Sequence, residues 1–239
     1  HSPLMMQDMD RAVTLIRRAI AEKQPMVIYG DYDVDGVCAT SILLETLREE
    51  GALVDTYIPS RHGEGYGLNC DAVREIAREH RLLITVDCGI TNHQEVRLAQ
   101  MLGMTVIVSD HHQLADTPSP ADAVLNPLLG DYPFRRLCGA GVALKICQAL
   151  QGMEGVQKRL ELAALAERFS DHPISRSIQA ACQSAPDPNR VTDAKEIAGH
   201  GVRAVVDGKT VLAGNQKLMD QFRISFEDTC HHVGTIIHV

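Results

Sequence analysis

Short apolar segments alternate with amphipathic ones over the first 125 residues, and that alternation predicts an α/β fold, a parallel sheet with helices on both faces. Two further observations support it. Acid- and imidazole-bearing motifs stand just after the apolar segments, where open parallel sheets receive ligands. After about residue 155 the pattern changes to a hairpin signature, which predicts a smaller α+β unit with an antiparallel sheet.

The elements follow in order. Met9, Ala12, Val13, Ile16 and Ile20 recur at helical spacing and predict a helix over 5–22. Strands are expected at 25–29, 54–58, 82–86, 105–108 and 123–125. Helices are expected between them at 37–49, 71–80 and 92–102. A glycine-entered helix follows at 139–151, and others at 160–169 and 173–182. Residues 184–189, with Pro186 and Pro188, read as a loop. Residues 201–206 and 209–213 flank Asp207-Gly208 and predict a hairpin. A short helix after Gly214-Asn215 and a strand over 235–239 complete the second unit. The expected domains are therefore 1–155 and 156–239. The chain starts at His1 and ends within an expected strand, so it reads as a piece of something longer, and an open sheet edge left by such a cut would promote aggregation.

Composition narrows the function. The 239 residues carry a net charge of −8, which excludes a general polyanion binder. Aromatic residues make up 4% and Trp is absent, which argues against base stacking as the main means of gripping single strands. The 7 cysteines form no C-x-x-C pair and point to reduced thiols in a cytoplasmic protein. No apolar run approaches the roughly 18 residues of a membrane span.

The motifs then point to chemistry. Asp31, Asp33 and Asp35 follow the first strand, Asp87 the third, and Asp110, His111 and His112 the fourth. Any one of these acids alone reads as a turn former or helix cap. Three separate strand ends converging on one sheet edge read as a divalent-metal site of Mn²⁺ or Mg²⁺ type, since hard oxygen ligands with imidazole suit such ions. Two ions can clamp both oxygens of a phosphoryl displacement, so a metal-dependent phosphoesterase is the expectation. Gly139 and Gly141 open a helix whose N–H groups meet either a phosphate or, as readily, close helix packing.

Residues 3–150 resemble the RecJ group of the DHH phosphoesterase family. The resemblance is carried by Gly30-Asp31-Tyr32-Asp33-Val34-Asp35-Gly36, Ile58-Pro59-Ser60-Arg61 with Gly65-Tyr66-Gly67-Leu68, Val86-Asp87-Cys88-Gly89, Asp110-His111-His112, Asn126-Pro127 and Cys138-Gly139-Ala140-Gly141-Val142-Ala143. It implies Mn²⁺- or Mg²⁺-dependent degradation of single-stranded DNA from the 5′ end, in recombination and repair. It further implies Asp33, Asp35, Asp87 and His111 as metal ligands, with His112 on the scissile phosphate and Asp31 and Asp110 in support. Arg61 would help neutralise the phosphate.

Residues 160–239 resemble the nucleotide-binding domain of heavy-metal-transporting P-type ATPases. The marks are Glu167, Ser170-Asp171-His172-Pro173, Gly199-His200-Gly201-Val202, Val206-Asp207-Gly208, Gly214-Asn215 and Gly234-Thr235-Ile236-Ile237-His238-Val239. The resemblance implies ATP held by Glu167, His172, Gly199, Gly201 and Asn215. Glycines at 199 and 201 leave room for a ligand's approach. The two likenesses meet at Leu160-Glu161-Leu162-Ala163-Ala164-Leu165-Ala166, which fits both families and marks the chain as a chimera. The RecJ pattern places a further metal-binding acid near position 170, where Ser170 stands. The expectation is therefore an impaired nuclease, with an ATP-binding module or an inactive fusion fragment as the alternatives.

Overall fold

The computed structural model describes residues 1–59, 67–167, 191–197, 201–206, 209–214 and 221–222. A 3-10 turn, Pro3–Met5, leads into α1, Met9–Ala21. The α-helix starts later than its apolar spacing predicts because Asp8 lies in the left-handed region, φ 60, and interrupts the helical run. Strand β1 spans Met26–Gly30 and α2 spans Val34–Glu49. The early start of α2 has a visible cause: Asp33 is its N-cap and accepts a hydrogen bond from the Gly36 amide at 2.9 Å. Next come β2, Val54–Tyr57, and α3, Cys70–Glu79, the latter capped by Asn69 accepting from the Ala72 amide. Strand β3 spans Leu82–Val86, α4 His93–Met101, β4 Thr105–Ser109 and β5 Ala123–Leu125. These agree with the sequence expectation to within a residue or so.

All five strands are parallel, in the order β2-β1-β3-β4-β5. The chain runs outward from β1 to β2, then crosses back to β3 on the other side of β1. That reversal opens a crevice between the carboxyl ends of β1 and β3. Strand alternation divides the core into two. Met26, Ile28, Leu82, Ile84, Val86 and Ile107 face α1, α2 and a long last helix, α5, Gly139–Glu167. Val27, Tyr29, Leu83, Val106 and Val108 face α3 and α4. With both faces covered, β1 and β3 bury every residue, which is why they read as unbroken apolar runs.

Two separate helices are expected at 139–151 and 160–169; within α5 the first does end at a break, Gly152 (φ 71, ψ −161), and the second starts directly after it and runs to Glu167. Beyond the break Arg159 is buried against α2, its Nη2 2.9 Å from Glu49 and its Nε 3.7 Å from Glu45. The pair holds the second half of α5 on the sheet's helical layer, across the expected boundary at 155.

Both sheet edges are short and carry charge. On the β5 edge Asp8 Oδ2 accepts from the Val124 amide at 3.0 Å. On the β2 edge Asp55 Oδ2 lies 2.9 Å from Nε2 of the buried His80, whose Nδ1 lies 3.1 Å from the Ile76 carbonyl.

A second, antiparallel sheet has the order β6-β7-β8, with β6 at Val191–Ile197, β7 at Gly201–Val206 and β8 at Lys209–Gly214. The expected hairpin forms β7 and β8, paired from Gly201↔Gly214 to Val206↔Lys209. Strand β6 is an addition. Its Val-Thr-Asp-Ala-Lys-Glu-Ile run is too polar to declare itself, and pairing with β7 makes it a strand. The expected helix at 173–182, the loop at 184–189, the Asp207-Gly208 turn and the strand at 235–239 lie outside the described residues. So do Arg61, His172, Gly199 and Asn215.

Candidate metal centre

Four elements deliver the site. Asp31 follows β1 directly, Asp33 caps α2 and Asp35 lies in that helix's first turn. Asp87 follows β3, and Asp110, His111 and His112 follow β4. The N-terminus of α5 closes over them, as its hydrogen bonds to Asp35 show. Gly36 is where α2 folds back over Asp31: a Cβ there would stand 2.6 Å from the Asp31 carbonyl oxygen.

Two groups of ligand atoms, each within 4.8 Å, emerge among the described residues: Asp31, Asp33 and Asp87, and Asp87, His111 and His112. Asp87 belongs to both. Its backbone is left-handed, φ 60, and its side chain is 1% exposed. Its Oδ1 accepts no hydrogen bond, although His111 Nε2 lies 3.0 Å away. The two atoms are close without the alignment of a hydrogen bond, as befits two ligands aimed at a common point. Burial first, then the charges of Asp35 and Asp33, push the Asp87 carboxyl up to about 10. Burial also raises Asp31, whose Oδ1 accepts from the Tyr32 amide at 2.8 Å. A buried, unpartnered carboxylate oxygen amid other acids and an imidazole fits a divalent cation and little else.

Asp110 is equally buried but differs in every bond. Oδ1 accepts from the His111 amide at 2.7 Å, the His112 amide at 3.1 Å and His112 Nδ1 at 2.7 Å. Oδ2 accepts from the Ile90 amide at 3.0 Å. Burial works to raise its carboxyl, but these bonds prevail and hold it below the usual range. The bond to Asp110 in turn raises the His112 imidazole. The two histidine rings lie 4.5 Å apart.

The structure brings together Asp31, Asp33, Asp35, Asp87, Asp110, His111 and His112, with the glycines of α5 beside them. The Gly139 amide donates to Asp35 Oδ2 at 2.7 Å and the Ala140 amide to Asp35 Oδ1 at 2.8 Å. The Gly141 amide points to Cys138 Sγ at 3.3 Å. The start of α5 thus meets a carboxylate; of the two openings the sequence left, phosphate contact or close packing, the geometry at Gly139 accords with packing. Gly139 is glycine for space, since a Cβ would stand 2.5 Å from Asp87 Oδ1. One further contributor had no role assigned from sequence: buried Asn126 donates from Nδ2 to the His112 carbonyl at 3.0 Å and accepts from the Leu128 amide at 2.9 Å. Its signal was the Asn-Pro pair just after β5. Gly201 begins β7 and Glu167 ends α5.

Known proteins resemble this chain in sequence and in fold. The single-stranded-DNA-specific exonuclease RecJ of Bacillus subtilis is 43% identical over 168 residues, covering 69% of this chain and 21% of the relative. A crystal structure of exonuclease RecJ bound to manganese superposes with a TM-score of 0.68 at 34% identity, covering 76% of this chain and 49% of that one. The chain therefore spans about a fifth of that curated relative's length. A zinc-transporting ATPase of Synechocystis is 46% identical over 80 residues, 34% of this chain and 11% of the relative. No described helix is long and apolar enough to cross a membrane. The model of the DHH family, N-terminal domain, matches residues 25–167, and with that the chain belongs to the DHH family.

Proposed function

We propose that this chain hydrolyses phosphodiester bonds of single-stranded DNA from the 5′ end, with two Mn²⁺ or Mg²⁺ ions as cofactors. The observation that carries the reading is Asp87: shared by two ligand groups, buried, and with an oxygen that accepts no hydrogen bond from the protein. Relatives named as single-strand exonucleases, one of them solved with manganese, support the substrate and the metal.

Asp31 and Asp33 with Asp87 would hold one ion, and Asp87 with His111 and Asp35 the other. When bound, divalent cations acidify water and neutralise phosphate charge. His112 takes a different part. Asp110 occupies its Nδ1 and favours the cationic ring, which suits contact with a phosphate oxygen better than metal ligation. Asn126 fixes the backbone of that turn. Arg61 is assigned to the phosphate on sequence alone. We place the junction of the two units near 155 and expect weak turnover, because position 170 is Ser where the RecJ pattern places a metal-binding acid. A cytoplasmic setting accords with the five described cysteines, all free thiols.

The test is hydrolysis of 5′-phosphorylated single-stranded DNA with Mn²⁺, beside Asp87→Ala. Activity that vanishes in the variant supports the reading. A folded chain that binds Mn²⁺ but leaves the DNA intact sinks it.

A second reading is favoured by the zinc-transporting ATPase match, whose 80 residues equal the length of 160–239. In it, Glu167, His172, Gly199, Gly201 and Asn215 hold ATP without hydrolysis. ATP binding that weakens in His172→Ala and ignores Asp87→Ala supports it; absence of binding rejects it. Amplification of the coding region across 150–172 from source DNA tests the chimera, and an uninterrupted natural product would refute a joining artefact.

A further inference from the structure

We infer that Asp35 is held in common by the metal centre and the N-terminus of α5, so that metal occupancy and the docking of α5 stabilise each other. The inference rests on the metal reading proposed above and extends it to a part of the chain that supplies no ligand.

The first amides of a helix have no acceptor within the helix and need one from outside. At α5 the local cap is poor. Residue 138 is Cys, whose sulfur is a weak acceptor, and the Gly141 amide reaches it at 3.3 Å. The Val142 amide returns to the Cys138 carbonyl at 3.0 Å. The two remaining amides, of Gly139 and Ala140, both go to Asp35, more than a hundred residues earlier in the chain, one to each oxygen at 2.7 and 2.8 Å. Asp35 is thus the N-cap of a helix to which it does not belong.

The same carboxylate faces the site. Its Oδ2 lies 3.5 Å from His111 Nε2, itself 3.0 Å from Asp87 Oδ1. A carboxylate offers about four lone-pair positions. Two are taken by the α5 amides, which leaves the others for a cation. The amides fix the direction of those lone pairs, as partners of ligating carboxylates generally do. They also offset charge where Asp33, Asp35 and Asp87 crowd together. Gly139 also brings the start of α5 close to a second ligand, since a Cβ there would stand 2.5 Å from Asp87 Oδ1. Because coupling of this kind is reciprocal, a cation that fixes Asp35 also fixes α5, and loosening α5 weakens the cation's hold.

Amide hydrogen exchange of the whole chain, followed by NMR with Mg²⁺ as the diamagnetic ion, tests this. In the metal-free chain the Gly139 and Ala140 amides are expected to exchange about tenfold faster in Asp35→Asn than in the wild type. Mg²⁺ is expected to slow them in the wild type but not in Asp35→Asn. Asp71→Asn, which removes an exposed acid from the first turn of α3, should leave them unchanged without metal. Mg²⁺ binding, seen as shifts around Asp87 and His111, with no change at 139–140 overturns the coupling and leaves the metal reading standing. Failure of the wild type to bind either Mg²⁺ or Mn²⁺ overturns both.

Discussion

Strands β3 and β4 are neighbours, and each ends in an aspartate that is 1% exposed. Asp110 accepts four hydrogen bonds, three on one oxygen, and its carboxyl is held low. Asp87 has an oxygen with no donor and a carboxyl pushed up to about 10. Burial is equal, so burial does not decide the role. The donors do. Backbone amides of the Asp110-His111-His112 turn curl toward Asp110 and make it a scaffold. Asp87, in a left-handed turn and pressed by Gly139, faces other acids and is a group waiting for positive charge.

The largest effects should come from replacing each acid by alanine. Asp87→Ala is expected to reduce Mn²⁺-dependent cleavage to background, measured on 5′-labelled single strands, while raising the melting temperature in EDTA by relieving a buried acid crowd. Asp110→Ala should act in the opposite sense. It strands four donors, and an unfolding titration should register a loss of about 3–5 kcal/mol. If both variants melt alike in EDTA, the contrast between the two strand ends is wrong.

Acidity sharpens the comparison next. The Asp87 carboxyl is raised in the folded state, so near neutrality the metal-free fold keeps a proton that the unfolded chain has released. Its contribution to stability therefore falls as pH climbs above the ordinary carboxylate range. A cation displaces that proton, so Mn²⁺ affinity should rise about tenfold per pH unit between pH 6 and 8, with calorimetry in buffers of different ionisation enthalpy reporting one proton released. An affinity flat in pH would contradict the assignment of Asp87.

A smaller effect is expected at Asn126. Asn126→Ala removes the bonds to the His112 carbonyl and from the Leu128 amide and should cost about 1–3 kcal/mol. It should also lower cleavage at saturating Mn²⁺ with Mn²⁺ affinity nearly unchanged, since it touches the phosphate-facing turn rather than a ligand. A loss of Mn²⁺ affinity as large as the loss of rate would place Asn126 elsewhere in the design. Smallest of all, His172→Ala should leave Mn²⁺ binding untouched.

These contrasts show where the sequence is informative. Strands buried on both faces announce themselves as apolar runs, so β3 and β5 coincide with expectation at 82–86 and 123–125. The acids following them were legible because each stands next to its strand in sequence. Long-range bonds were not. Nothing around Asp35 signals that it caps a helix at Gly139; the one trace is the absence of Ser, Thr, Asp or Asn at position 138. The difference between Asp87 and Asp110 was hidden for a similar reason, since it lies in which amides turn inward. Strand β6 escaped because its side chains do not alternate in polarity, and Arg159 because an arginine buried on two glutamates looks like any surface charge.

The Asp8 contact bears on how the molecule behaves in a crowd. Three-residue β5 is the last rung of the sheet, and the Val124 amide would otherwise offer itself to any passing strand. Asp8 fills that valence from a left-handed corner just before α1, and Asp55 puts charge on the opposite edge. Polymer growth by strand addition at the β5 margin would first have to prise Asp8 from the Val124 amide, and at the β2 margin an incoming strand would meet the Asp55 carboxylate.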